Sequence, residues 1–144
     1  MTHEDKGRYF LKHPGKITVE QSLKQEIIKR SLDNKISCSA AAAIARKKKV
    51  TMSEVGMAID ILNLSITKCQ IGLFGHDEKK KIAGPVKNIE PGLREAIINA
   101  LINDKLPCKS AWEIAAAMKI SRLTVGNACD TLKIKIKPCQ LGAF

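Results

Sequence analysis

The stretch EIAAAMKISRLTVGNACDTL, residues 113–132, contains two apolar segments at helical spacing separated by a short turn. A related stretch, AIARKKKVTMSEVGMAIDIL, occupies residues 43–62. At the offset of 70 that joins them, residues 23–74 (copy one) align with residues 93–144 (copy two) without a gap. Nineteen of the 52 aligned pairs are identical, against about three expected by chance. The chain is therefore a tandem duplication, and its copies end in CQIGLF and CQLGAF.

Each copy is predicted to begin with an amphipathic helix. In copy one this helix starts near Thr18, because Thr18 and Gln21 have capping-box spacing, and in copy two it starts at Pro91, a favoured first-turn residue. Its apolar residues recur every three or four positions and are expected to form one buried stripe. They are Leu23, Ile27, Ile28 and Leu32, matched by Leu93, Ile97, Ile98 and Ile102.

Two further helices are predicted in each copy. The second covers residues 39–48 and, in copy two, residues 109–118, and it is rich in alanine. The third begins after Thr51 and after Ser121, since both residue types are favoured N-caps.

A single strand is predicted to follow the third helix. Residues 64–71 and 134–141 alternate apolar and polar side chains, as half-buried strands do. One strand per copy leaves an unpaired edge. We therefore expect the two strands to pair with each other across a pseudo-twofold axis or, alternatively, between the chains of a homodimer.

The stretch 113–132 resembles the helix-turn-helix of bacterial and archaeal transcriptional regulators, including winged-helix forms. The resemblance rests on an apolar residue before a packing alanine, an apolar turn residue, a hydroxyl N-cap and a buried valine. These are Ile114, Ala115, Ile120, Ser121 and Val125, matched by Ile44, Ala45, Val50, Thr51 and Val55. The turn of such motifs usually contains glycine, whereas this chain has Lys49 and Lys119. The turn therefore either accepts a left-handed lysine or is longer.

The resemblance implies a mostly α fold. It consists of two tandem three-helix helix-turn-helix units, each followed by a short β-strand, packed with pseudo-twofold symmetry. The predicted organisation is a flexible basic arm at residues 1–16, a first repeat at residues 17–74, a charged linker at residues 75–89 and a second repeat at residues 90–144.

The charge of the chain favours a polyanionic partner. Lys and Arg outnumber Asp and Glu by 25 to 14, which gives a formal net charge of +11. The sequence has no apolar run of membrane-spanning length and no apolar stretch of a signal peptide near its start. We expect a cytoplasmic protein without a membrane partner.

The resemblance also implies that the third helix enters the major groove of double-stranded DNA. Base reading is expected from Arg122, Thr124 and Asn127, since arginine pairs with guanine and asparagine with adenine, and from Ser53 and Met57 in copy one. Contacts to the DNA backbone are expected from Arg46, Lys47, Lys48, Lys49, Thr51, Lys119, Ser121, Lys133, Lys135 and Lys137. The third helix of copy one is poorer in hydrogen-bond donors. Copy one is therefore expected either to contact the DNA backbone or to pack against a partner protein.

Other functional classes have weaker support in the sequence. The three histidines lie in predicted loops, so acid-base catalysis has no visible constellation and we expect no enzyme activity and no cofactor. The five cysteines form no C-x-x-C pair and are expected to be core residues rather than metal ligands. The alternatives to DNA binding are a protein-interaction or assembly module with the same fold and a cysteine-based metal or redox sensor.

Overall fold

The computed structural model describes residues 21–76 and 81–143. The predicted arm at residues 1–16, the capping residue Thr18 and the final Phe144 lie outside the described residues. The described chain divides into two compact units. Unit 1 contains residues 21–69 and 140–143, and unit 2 contains residues 70–76 and 81–139. Unit 1 thus includes the last residues of copy two, and unit 2 includes the last residues of copy one.

Unit 1 is built on three helices and two short strands. In chain order these are α1 (Gln21–Arg30), β1 (Lys35–Ser37), α2 (Cys38–Lys48), α3 (Met52–Ile61) and β2 (Ser65–Thr67). Its core is aliphatic, and its most buried large side chains, at most 1% exposed, are Ile27, Ile36, Ile44, Val55 and Ile59.

Unit 2 repeats this order of elements. They are α4 (Pro91–Asn99), β3 (Lys105–Leu106), α5 (Cys108–Met118), α6 (Arg122–Leu132) and β4 (Lys135–Ile136). Its core contains Ile71, Ile97, Leu106, Val125 and Cys129. The described chain is therefore mostly helical, with six helices and a few short strands. Among these helices, none combines the length and the apolar character needed to cross a membrane.

The predicted starts of the third helices are confirmed. Thr51 caps α3 in a capping box, in which the Glu54 N–H donates to Thr51 Oγ1 at 3.0 Å and the Thr51 N–H donates to Glu54 Oε2 at 2.9 Å. Ser121 caps α6, and its Oγ accepts from the Thr124 N–H at 3.0 Å. The predicted start of the first helix of copy two at Pro91 is also confirmed.

The turn between the second and third helices accepts a left-handed lysine. Lys49 has φ 55° and Lys119 has φ 57°, and each is the C-cap of the preceding helix. The Lys49 N–H donates to the carbonyls of Ala45 and Arg46, so the turn satisfies main-chain acceptors that the end of α2 leaves open. The longer turn is therefore not needed.

The predicted pairing of the two strands with each other is wrong. Each unit has a second strand before its second helix, and β1 pairs with β2, and β3 with β4, in parallel. The added strands have only three and two residues, too few to show an alternating pattern in the sequence. The strand that was expected to need a partner from the other copy finds that partner within its own unit.

The predicted buried stripe of the first helix is only partly correct. Leu23 and Ile27 are buried, but Ile28 is 55% exposed and Leu32 is 76% exposed. Their counterparts Ile98 and Ile102 are 49% and 62% exposed. The helix turns about 100° per residue, so Ile28 leaves the face that Ile27 buries, and Leu32 lies beyond the end of α1 at Arg30.

Glycines in α3 and α6 allow main chain to pack directly on a helix. A Cβ at Gly126 would overlap the carbonyl oxygen of Ile71 and lie 2.7 Å from Ile71 Cγ2. A Cβ at Gly56 would overlap the carbonyl oxygen of Leu141. The ending segments of the two copies are thus held against helices at positions where any other residue would push them away.

We predict that Gly126→Ala destabilises the protein. Alanine in a helix is worth about 1 kcal/mol more than glycine, but the overlap with the Ile71 main chain outweighs this gain, so we expect a net loss of about 1–2 kcal/mol. Urea denaturation followed by circular dichroism measures it. Gly84→Ala is the matched control, because a Cβ at Gly84 meets nothing within 4 Å, and it should leave the stability unchanged. Equal stability of the two variants would contradict the prediction.

Candidate nucleic-acid interface

Two stretches of unit 2, residues 70–72 and 81–86, lie along α6 and together form what we call the covering segment. The N–H groups of Ile82 and Ala83 both donate to the carbonyl of Gly72, at 2.8 and 2.9 Å, and so tie the two stretches together. A Cβ at Gly72 would lie 2.6 Å from Leu123 Cδ1, which places this segment directly against α6.

Polar side chains of α6 bind the covering segment. Asn127 Oδ1 accepts from the Gly84 N–H at 3.0 Å, Thr131 Oγ1 accepts from the Val86 N–H at 2.8 Å, and Asp130 Oδ1 lies 2.7 Å from Lys81 Nζ. The face of α6 that carries the predicted base-reading Asn127 is therefore engaged within unit 2. Three of its hydrogen-bonding side chains already have protein partners.

The predicted base-reading Arg122 is also held within unit 2. Its guanidinium carbon lies 3.5 Å from the centroid of the Trp112 ring, and Nη1 donates to Gln70 Oε1 at 3.3 Å. Cation–π contacts of this kind are worth about 0.5–1 kcal/mol at exposed sites. Arg122 is half-buried, so its orientation is set by a ring and an amide of the same unit.

The first turn of α6 stays exposed. Ser121 and Thr124, predicted to contact DNA backbone and bases, are both exposed, and their hydroxyl oxygens are 2.7 Å apart in a hydrogen bond. Lys119 is exposed in the preceding turn. The start of α6 therefore presents two hydroxyls and a cation to solvent.

In unit 1 the predicted residues are distributed over α2 and α3. On α3, Ser53 is exposed in the first turn and Met57 is half-buried. Arg46 and Lys49 are exposed at the end of α2. This leaves Ser53 as the polar base-reading candidate of α3.

Part of the lysine run at 46–49 is already paired. Lys47 Nζ lies 3.0 Å from Glu26 Oε1, and the same oxygen accepts from Arg30 Nε at 3.1 Å. The hydrogen bond from Lys47, helped by Arg30, lowers the pKa of the Glu26 carboxyl. Lys48 Nζ donates to Ser22 Oγ at 3.4 Å. Two of the four cations in the run thus have partners in unit 1.

Four exposed lysines lie in the sheet of unit 2 or beside β4, and no acidic partner is found for them among the described residues. We call Lys105, Lys133, Lys135 and Lys137 the strand lysines. Lys105 and Lys135 are register partners in the parallel pair, and Lys133 directly follows α6. All four are exposed, while Leu106 and Ile136 between them are buried. Within the described part of the chain, none of the four forms an ion pair.

The sequence interpretation missed Lys105 and Trp112. Lys105 became a neighbour of Lys135 only through the short strand β3, although its identity with Lys35 in the repeat was a usable signal. Trp112 aligns with Ala42, so the repeat gave no hint of its contact with Arg122.

The cysteines contribute packing to both units. All five are in the thiol form, and four are buried, whereas Cys139 is half-buried. Burial raises the pKa of the Cys129 thiol to about 12, so this side chain is a neutral apolar group. Among the residues that the structure describes, no group of three or more His, Cys, Asp or Glu side chains is arranged to hold a metal ion.

Comparison with known proteins adds no assignment. No protein-family model, curated protein or solved structure matches this chain.

We predict that Asn127→Ala lowers the free energy of unfolding by about 1 kcal/mol, because the Gly84 N–H loses its acceptor. Urea denaturation measures the change. The control is Asn99→Ala at an exposed position near the end of α4, which should change the stability little. If Asn127→Ala is as stable as the parent protein, the contact between Asn127 and the covering segment does not persist in solution.

Proposed function

We propose that the protein binds double-stranded DNA in the cytoplasm as a transcriptional regulator built from tandem helix-turn-helix repeats. In this proposal α2 with α3, and α5 with α6, are the helix-turn-helix pairs of two three-helix units related by pseudo-twofold symmetry. The observation that carries it is the set of four exposed strand lysines, which have no acidic partner within the described chain.

The strand lysines favour a polyanion for an electrostatic reason. Lys105 and Lys135 lie directly opposite each other, and like charges at such positions repel. Phosphates bound between them would relieve this repulsion and release counterions from the DNA. The net charge of +11 strengthens the attraction over longer distances.

The start of α6 supplies a second contact to the DNA backbone. The N-terminal end of a helix attracts phosphate through its free N–H groups and its dipole. Ser121 and Thr124 add hydroxyls at this end, and Lys119 adds a cation. All three side chains are exposed, and because Ser121 and Thr124 share one hydrogen bond, one of their two hydroxyl protons is free to donate to a phosphate.

Base reading by Asn127 and Arg122, unlike the backbone contacts, requires existing contacts within unit 2 to break. Asn127 accepts from Gly84, and Arg122 is stacked on Trp112, so both would have to exchange protein partners for bases. We therefore propose that backbone contacts provide most of the affinity, and that sequence selection by Asn127 and Arg122 requires the covering segment to move.

A protein-interaction module is the second candidate function. It is supported by Ile28 and Leu32 in unit 1 and by Ile98 and Ile102 in unit 2, which are exposed apolar pairs at equivalent positions of the repeat. The occupant that fits a repeated patch is a second copy of the chain, because a twofold interface uses the same surface twice. A dimeric mass together with no DNA binding at low salt would favour this candidate.

The DNA-binding proposal predicts a steep salt dependence. Fluorescence polarisation with a random duplex, measured between 0.05 and 0.3 M salt, should show affinity falling linearly on logarithmic axes. Lys105→Gln/Lys135→Gln should reduce the magnitude of the slope by about 2 and the affinity at about 0.1 M salt at least tenfold, because two phosphate contacts are lost.

The control for this experiment is Arg94→Gln/Lys109→Gln, which removes the same charge from exposed positions of α4 and α5. It should bind nearly as well as the parent protein. Equal losses in the two double variants would mean that only net charge matters. No binding of the parent protein at low salt would overturn the proposal.

A further inference from the structure

We propose that Cys108 and Cys139 of unit 2 form a reversible disulfide when the protein meets a peroxide. Cys108 is the first residue of α5, and its N–H donates to the carbonyl of Pro138, the residue before Cys139, at 3.0 Å. This inference does not rest on DNA binding.

The hydrogen bond brings the main chain of Cys108 beside the peptide group that joins Pro138 to Cys139. Both cysteines lie outside β3 and β4, so this bond, rather than the register of the sheet, brings their main chains together. The Lys137 N–H also donates to the Leu106 carbonyl, at 2.9 Å, so two successive main-chain bonds hold the segment before Cys139 against the segment that leads into Cys108. Adjacent strands are about 4.8 Å apart, which lies inside the Cα separation of about 4.4–6.8 Å that a disulfide spans.

The accessibility of the thiols selects this pair. Cys139 is half-buried and can be reached by a small oxidant, whereas its repeat counterpart Cys69 is only 5% exposed. Cys108, also 5% exposed, is shielded from solvent and is suited to resolve an oxidised Cys139. Cys129, with a thiol that burial keeps protonated, does not compete.

The oxidation balances with hydrogen peroxide as the oxidant. The Cys139 thiolate attacks one peroxide oxygen, which gives a sulfenic acid and releases hydroxide, and the hydroxide takes up the proton that the Cys139 thiol lost. The Cys108 sulfur then attacks the sulfenic sulfur, forming the S–S bond and releasing water. In sum, two thiols lose two hydrogens and peroxide becomes two waters. A dithiol or glutathione reverses the bond by exchange.

The disulfide would join the two chain segments that carry the strand lysines Lys105 and Lys137. Lys105 lies shortly before Cys108, and Lys137 lies shortly after β4. A bridge from Cys108 to Cys139 also closes a loop that contains α5 and α6, which stabilises unit 2 by restricting the unfolded chain. Oxidised protein should therefore melt at a higher temperature than reduced protein.

The test is mass spectrometry of the full-length protein after treatment with equimolar hydrogen peroxide and alkylation of the remaining thiols. We expect one intramolecular disulfide, seen as a loss of about 2 Da before alkylation and as a linked Cys108–Cys139 peptide after digestion. Dithiothreitol should restore five alkylated cysteines.

Variants separate the roles of the thiols. Cys139→Ser should abolish the linked peptide, and Cys108→Ser should leave Cys139 as a sulfenic or higher acid, with a gain of about 16 or 32 Da. Cys69→Ser is the matched control and should still form the Cys108–Cys139 bond. Circular dichroism confirms that each variant is folded. A Cys38–Cys69 link, a link between chains, or five unmodified thiols in the parent protein would overturn the proposal.

Discussion

The contact between a helix glycine and the main chain of a distant segment is the constraint on which both units depend. Because Gly126 has no side chain, the carbonyl of Ile71 packs directly on α6. Gly56 allows the carbonyl of Leu141 to pack on α3 in the same way. A glycine inside a helix costs about 1 kcal/mol relative to alanine, and both copies carry this cost at the same position. Because the segment packed on each helix comes from the other copy, neither unit is complete from the residues of one copy alone.

The same contact determines which groups of unit 2 are available to a partner. Once Ile71 lies on Gly126, the chain continues through Gly72, whose carbonyl fixes the second stretch of the covering segment. That stretch binds the side chains of Asn127, Asp130 and Thr131 of α6 through two hydrogen bonds and one ion pair. Among the groups of unit 2 that are predicted to contact DNA, those that stay exposed are Lys119, the first turn of α6 and the strand lysines. Under the proposed function, affinity and sequence selection therefore reside on different groups.

The distribution of charge is not what the clustering of lysines in the sequence implies. The run at 46–49 is the most conspicuous basic feature, yet Lys47 is paired with Glu26 and Lys48 donates to Ser22. Exposed ion pairs of this kind add little stability, but they reduce the charge offered to a partner. The strand lysines, spread over residues 105–137, become one patch because a parallel pair brings Lys105 beside Lys135.

The sequence by itself determined the duplication, the helices and the starts of α3, α4 and α6. Thr51, Ser121 and Pro91 act on the residues that immediately follow them, and helical periodicity is a property of neighbouring turns, so these features are readable locally. Only the tertiary structure decided the parallel strand pairs, the exposure of Ile28 and Leu32, and the engagement of Asn127 and Arg122. Strands of two or three residues carry too little pattern, and contacts such as Ile71 with Gly126 join residues far apart in the chain, whose packing no local signal encodes.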